Sequence, residues 1–192
     1  VTVNRMPKLN DILLDRSNVG QLKDIDVTDL LERPEVKLDM NQISDRITDK
    51  VIMVTGAGGS IGSEIVRQVS KFRPKQVLLL GHGENSIYMI NREMRKTYPD
   101  QHIDFVPLIG DVQDRKLMFS LMANYRPNIV YHAAAHKHVP LMEYNPHEAV
   151  KNNVFGTKNV ADAAKVADVD TFVMVSTDKA VNSSSVMGST KR

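Results

Sequence analysis

Read for the spacing of its apolar positions, the chain divides near Lys50. Up to Asp49 the apolar residues are scattered among Asp and Asn and interrupted by Pro7, Gly20 and Pro34. Only the short stretches 12–14, 27–31 and 42–47 suit helices, each of about one to three turns. Such a segment buries too little apolar surface to offset its own ordering entropy. Residues 1–49 are therefore expected to form a helical or irregular arm that docks on a neighbouring domain or subunit.

From residue 50 a regular alternation begins. A β-branched run at 51–55 ends in a glycine cluster, and helical spacing follows over 60–72, with Ile61, Ile65, Val66 and Val69 on one face. Strand 76–80 precedes helix 84–98, strand 102–108 precedes helix 114–125, and strand 128–132 precedes helix 146–166. Strand 171–176 closes the series. Short apolar runs alternating with helices specify right-handed βαβ units. Residues 50–192 are thus expected to form a Rossmann-like, doubly wound parallel sheet, with Met118, Met122, Met142 and Met174 as core filler. A dinucleotide fold of six or seven strands needs more chain, so the domain is expected to be truncated at its C-terminus, without its substrate-binding part.

Composition narrows the partners rather than the fold. Lys and Arg number 25 against 23 Asp and Glu, with no basic cluster interleaved with aromatics, which disfavours nucleic acid. The absence of cysteine removes thiolate metal sites, thiol catalysis and disulfides. No apolar run approaches the roughly 20 residues that span a bilayer. A cytoplasmic domain is expected, with any membrane anchor in segments outside this chain.

Gly56-Ala57-Gly58-Gly59-Ser60-Ile61-Gly62 joins the first strand of the series to its helix, the placement of a dinucleotide-binding turn. Gly56 permits the tight turn, Gly59 lets backbone approach a pyrophosphate, and Gly62 allows close packing of the helix. The N–H groups of Ser60 and Ile61 open that helix towards the phosphates. No Lys-Ser/Thr follows the last glycine, so a nucleoside-triphosphate loop is disfavoured. The second strand ends Leu80-Gly81-His82-Gly83 without an acid to hold ribose hydroxyls. That leaves room for a 2′-phosphate beside His82, so NADP is slightly favoured over NAD while both stay open. Asp111 and Val112 follow the third strand where an adenine would lie, and Ala133 and Ala134 follow the fourth beside the middle of the cofactor. His132, His136 and His138 have no carboxylates to complete a ligand set, so no metal is expected.

Three stretches carry a resemblance: VTGAGGSIGSEI (54–65), YHAAAHKHVPLMEYNPHEAVKNNVFGTKNV (131–160) and VSTDKAVNSSSVMGSTKR (175–192). With them the chain resembles the extended short-chain dehydrogenase/reductase superfamily and, within it, the CapD-like UDP-N-acetylglucosamine 4,6-dehydratases of capsule and exopolysaccharide biosynthesis. The resemblance implies a lyase that oxidises sugar C4, eliminates water across C5 and C6, and returns hydride to C6, leaving a UDP-4-keto-6-deoxy-hexosamine. It also implies that Lys179 is the base at C5 and Asp178 the acid at the C6 hydroxyl. Burial and neighbours must then keep Lys179 neutral and Asp178 protonated. Thr177 is implied to bind the C4 oxygen, Lys191 the nicotinamide ribose, and His136, Lys137 and Glu143 the substrate. Asn153 is implied to support the active-site network, and a homo-oligomer is implied as well.

One position departs from the superfamily. Met187 stands four residues before Lys191, where a tyrosine base is usual, and a thioether exchanges no protons. That disfavours the alternative of a UDP-sugar 4-epimerase. A catalytically silent nucleotide-binding module is the remaining alternative, and this chain by itself is expected to turn nothing over.

Overall fold

The computed structural model describes residues 4–5, 23–24, 39–99 and 103–192. Its contacts divide into two units, Val1–Asp39 and Met40–Arg192. In the first, the two-residue strands β1 (Asn4–Arg5) and β2 (Lys23–Asp24) pair antiparallel. The helices expected over 12–14 and 27–31 lie outside the described residues, whereas 42–47 falls within α1 (Met40–Ile47) of the second unit.

The second unit follows the alternation read from the sequence. Strand β3 (Val51–Thr55) leads to α2 (Ser60–Ser70), β4 (Gln76–Gly81) to α3 (Glu84–Thr97), and β5 (Asp104–Ile109) to α4 (Arg115–Tyr125). Strand β6 (Ile129–His132) is followed by α5 (Val139–Tyr144), and a longer helical stretch then returns the chain to β7 (Thr171–Met174). Every pairing is parallel and the order is β5-β4-β3-β6-β7. The winding therefore reverses between β3 and β6, which opens a crevice at the carboxyl ends of those two strands.

Alternating residues of the strands feed two cores, as a sheet covered on both faces requires. Ile52, Val54, Val77, Leu79 and Phe105 face Val66, Ile87, Ile90 and Met94 of α2 and α3. Met53, Leu78, Leu80 and Val130 face Met118 and Met122 of α4 and Val160 and Ala163 further along. Each of these buried side chains larger than alanine is worth about 1.5–3 kcal/mol. In α3, Ile87, Ile90 and Met94 recur at helical spacing along the buried stripe. Asp114 caps α4, its side chain accepting from the Leu117 N–H at 3.0 Å.

Three expectations need correction. Ile61 is exposed rather than on the buried face of α2, because it stands in the first turn at the rim of the crevice. Met174 is 44% exposed and not core filler, because the described part of the sheet ends at β7. The helix expected over 146–166 is three pieces: α6 (Pro146–Ala149), a π-helical segment Val150–Gly156, and α7 (Thr157–Val166). The wider π turn narrows the angle between successive side chains, so neighbouring residues Asn152 and Asn153 are both buried on one side. A short helix α8 (Val186–Thr190) follows a 3-10 turn at Asp178–Ala180. Among the described residues no helix is long and apolar enough to cross a membrane.

Candidate functional site

The turn after β3 is built by close backbone approach. Gly56 has φ 68°, and a Cβ there would lie 2.8 Å from the Ala134 nitrogen and 2.9 Å from the Ala133 carbonyl. Only a residue without a side chain lets the turn lie this close to the exit of β6. At Gly62 a Cβ would lie 2.0 Å from the Gly56 carbonyl oxygen. Helix α2 thus closes on the turn that starts it, which is the close packing its sequence position suggested. Its N-cap, Gly59, carries no side-chain cap, leaving the N–H groups of the first turn directed at the crevice mouth. Ala57 N–H donates to the Leu80 carbonyl at 3.1 Å, fastening the turn to β4.

These segments wall a cleft of about 230 Å³ at the switch point of the sheet. Of the residues singled out from the sequence, Gly56, Gly59, His82, Asp111, Val112, Ala133, Ala134 and His136 line it. Ser60, Ile61 and Gly62, in the first turn of α2, are not part of its lining, and no metal-type cluster occurs among the described residues. The cleft adds Gly58, Gly110 and Ala135, from the same motifs, and Ser86 and Asn152, which sequence reasoning passed over. Asp111 is held by accepting from the Gln113 N–H at 2.9 Å. Buried Asn159 fixes the same loop, donating to the carbonyls of Val112 and Gln113 at 3.1 Å each.

Asn152 and Asn153 form the inner wall. Asn153 Oδ1 accepts from the His136 N–H at 2.8 Å, and its Nδ2 donates to the His136 carbonyl at 3.0 Å. Asn152 is 6% exposed and donates to Asn153 Oδ1 at 3.0 Å, while its own Oδ1, in the cleft wall, has no hydrogen-bond partner among the described residues. A buried acceptor without a partner is costly unless a ligand donor reaches it. The doublet Asn152-Asn153 was the available signal, yet only its second member was picked out.

His132 is fully buried at the end of β6. Its ring nitrogens lie 2.8 Å from Thr55 Oγ1 and 2.9 Å from Thr157 Oγ1, and its ring stacks on Phe172. Burial, with the charge of Lys191 adding, pushes its pKa down to about 4.

The residues assigned to catalysis lie outside the cleft lining. Asp178 and Lys179 sit on an exposed turn with Lys179 Nζ 3.6 Å from Asp178 Oδ1 and the Asp178 side chain 89% exposed. The Thr177 hydroxyl donates to Asp178 at 3.0 Å and, with the Lys179 ammonium, holds the Asp178 carboxyl below its usual range. This is opposite to the protonated acid expected, because no described residue covers the pair. Met187 is buried against Met142 and Ala149 and so packs α8 onto the helices before it. Lys191 Nζ donates to the Val175 carbonyl at 2.9 Å, and burial pushes its pKa down. Glu143 accepts from the Val186 N–H at 2.8 Å and so anchors the start of α8, while Lys137 is exposed.

Comparison with known proteins follows this geometry. Residues 52–192 match the family model described as "Polysaccharide biosynthesis protein". The chain is similar to the capsular polysaccharide biosynthesis protein CapD of Staphylococcus aureus, with 59% identity over all of this chain and 32% of that protein. It is 36% identical to a UDP-N-acetylglucosamine 4,6-dehydratase (inverting) of Campylobacter jejuni, over 74% of this chain and 40% of that one. Among solved structures, Pen from Bacillus thuringiensis superposes with a TM-score of 0.69 at 36% identity, over 76% of this chain and 44% of that chain. The chain thus spans about a third of the length of CapD, at 32%.

Proposed function

Because this chain belongs to the polysaccharide biosynthesis protein family, a family of the short-chain dehydrogenase/reductase type, we propose that it forms the nucleotide-binding part of a UDP-N-acetylglucosamine 4,6-dehydratase. The observation that carries the reading is the cleft at the reversal of the sheet, floored by a glycine turn and walled by Asn152, a buried acceptor without a partner among the described residues. Those features fit a dinucleotide, because free N–H groups at the start of α2 suit a pyrophosphate and the bare backbone of the turn leaves room for it. Bound there, the nicotinamide supplies reversible two-electron exchange with the sugar.

In this reading Gly56, Gly59, Ser60, Ile61 and Gly62 hold the pyrophosphate, Asp111 and Val112 flank the adenine, and Ala133 and Ala134 pass the middle of the cofactor. His82, exposed on the rim after β4, meets a 2′-phosphate in the NADP form. Lys191 binds the nicotinamide ribose. Thr177 orients the C4 oxygen, Lys179 takes the C5 proton, and Asp178 gives a proton to the departing C6 hydroxyl. His136, Lys137 and Glu143 face the sugar nucleotide, with Asn153 fixing His136. For Asp178 to donate it has to be covered when substrate binds, since an exposed carboxyl beside Lys179 stays ionised. Sequence of the kind that CapD carries beyond the matched third is the proposed cover. Residues 1–49 are proposed to act as an arm, and the assembly as a homo-oligomer. A thioether at Met187, buried as it is, argues against simple epimerisation.

The test is incubation of the complete gene product with UDP-N-acetylglucosamine in deuterated water, followed by NMR. A 4-keto-6-deoxy product carrying deuterium at C5 is expected. A UDP-N-acetylgalactosamine product without a C6 methyl would make the protein an epimerase instead.

A further inference from the structure

Helix α8 spans only Val186–Thr190, too short to hold its own position. It is placed by tethers: the Glu143 carboxylate at Val186, the burial of Met187 against Met142, and a third at its far end. There the Thr190 hydroxyl donates to the Met187 carbonyl at 2.8 Å and accepts from Asn153 Nδ2 at 3.0 Å. Asn153 is 3% exposed, and its remaining bonds go to the His136 peptide and to Asn152, both in the cleft wall. Of the three tethers, this is the one that leads to the cleft.

We propose that Thr190 is a positioning residue, whose hydroxyl couples the helix that ends beside Lys191 to the cofactor cleft through Asn153. The inference rests on the dehydratase reading for its kinetic consequence, though not for its structural one. Thr190 touches neither cofactor nor sugar in this account. It sets where α8 lies relative to His136 and Asn152, and with α8 the backbone position of Lys191, whose ammonium reaches the Val175 carbonyl. Removal of the hydroxyl leaves one buried Asn153 N–H without a partner and frees α8 to shift, while Asn153 keeps both bonds to His136 and the cleft wall stays in place.

Thr190→Val keeps shape and removes the hydroxyl, and Thr190→Ser keeps the hydroxyl and removes the methyl. In the complete gene product, T190V is expected to lower kcat about tenfold or more through misplacement of α8, with KM for the sugar nucleotide within about twofold of wild type. T190S is expected to restore kcat. Hydrogen exchange read by mass spectrometry should be faster over 186–191 in T190V alone. Wild-type kcat and exchange in T190V, or equal damage in T190S, would overturn the proposal. Should T190V fail to fold, T190S against T190A reads the same contrast. Absence of turnover by wild type on UDP-N-acetylglucosamine would count against the dehydratase reading only, and exchange over 186–191 would still decide the role of Thr190.

Discussion

The hydroxyl of Thr55 lies 2.8 Å from His132 Nδ1, across the pair of strands at which the sheet reverses. The other ring nitrogen meets Thr157, so one neutral imidazole ties β3, β6 and α7 together directly beneath the cleft. A neutral ring serves both hydroxyls, one as donor and one as acceptor, whereas an imidazolium is donor only.

That arrangement makes stability depend on acid. The pKa of His132 is about 4 in the fold against an ordinary 6.5, so the unfolded chain binds the proton more readily. Its stabilising contribution is complete above pH 6.5 and is lost as pH falls from there towards 4. The loss should reach roughly 3 kcal/mol. Urea unfolding across that range would show it, and His132→Gln should be less stable at neutral pH and fall less steeply than wild type below it. A wild-type curve without slope in this window would refute the assignment.

Gly62→Ala places a methyl into the Gly56 carbonyl and should cost about 2 kcal/mol or more, together with NADH binding. Thermal unfolding and NADH fluorescence titration read the two effects in one preparation. Undiminished binding in G62A would mean that the turn moves freely, against the rigid cradle described.

Asn159→Ala removes both side-chain bonds to the Val112–Gln113 backbone, leaving two carbonyls without this buried donor. A cost of about 1–3 kcal/mol is expected, with weaker cofactor binding as the loop carrying Asp111 loosens. Isothermal titration with NAD and NADP would register the second effect.

Substitution of the exposed pair separates chemistry from folding. Asp178→Asn and Lys179→Met should change stability by less than about 0.5 kcal/mol, because an exposed ion pair contributes little. The same variants of the complete gene product should lose about a hundredfold or more of their elimination rate. Stability loss without rate loss would assign the pair to structure.

The sheet and the cleft floor were legible because both rest on local pattern. Runs such as Val77–Leu80, apolar without alternation, specify strands buried on both faces, and a glycine cluster between strand and helix specifies the turn. The π segment was not legible, since Asn152 and Asn153 read equally well in an ordinary helix until their shared burial is seen. Exposure at Met174 and at Asp178 depends on what lies beside them in space, to which a residue's own neighbours in sequence are blind. Glu143 illustrates the same limit: nothing in its sequence neighbours shows that its carboxylate accepts from the first N–H of α8.

One contact in the cleft bears on how the protein can be redesigned. A Cβ at Gly58 would lie 2.7 Å from the Ser86 Cβ, so the phosphate turn rests on the first turn of α3. In the proposed reading, where the segment after β4 meets the adenosine ribose, that segment would also be a mechanical support for the turn that holds the pyrophosphate. If that reading holds, enlarging residues there to exchange NAD for NADP preference is expected to loosen both cofactors together, unless substitutions on the two turns compensate.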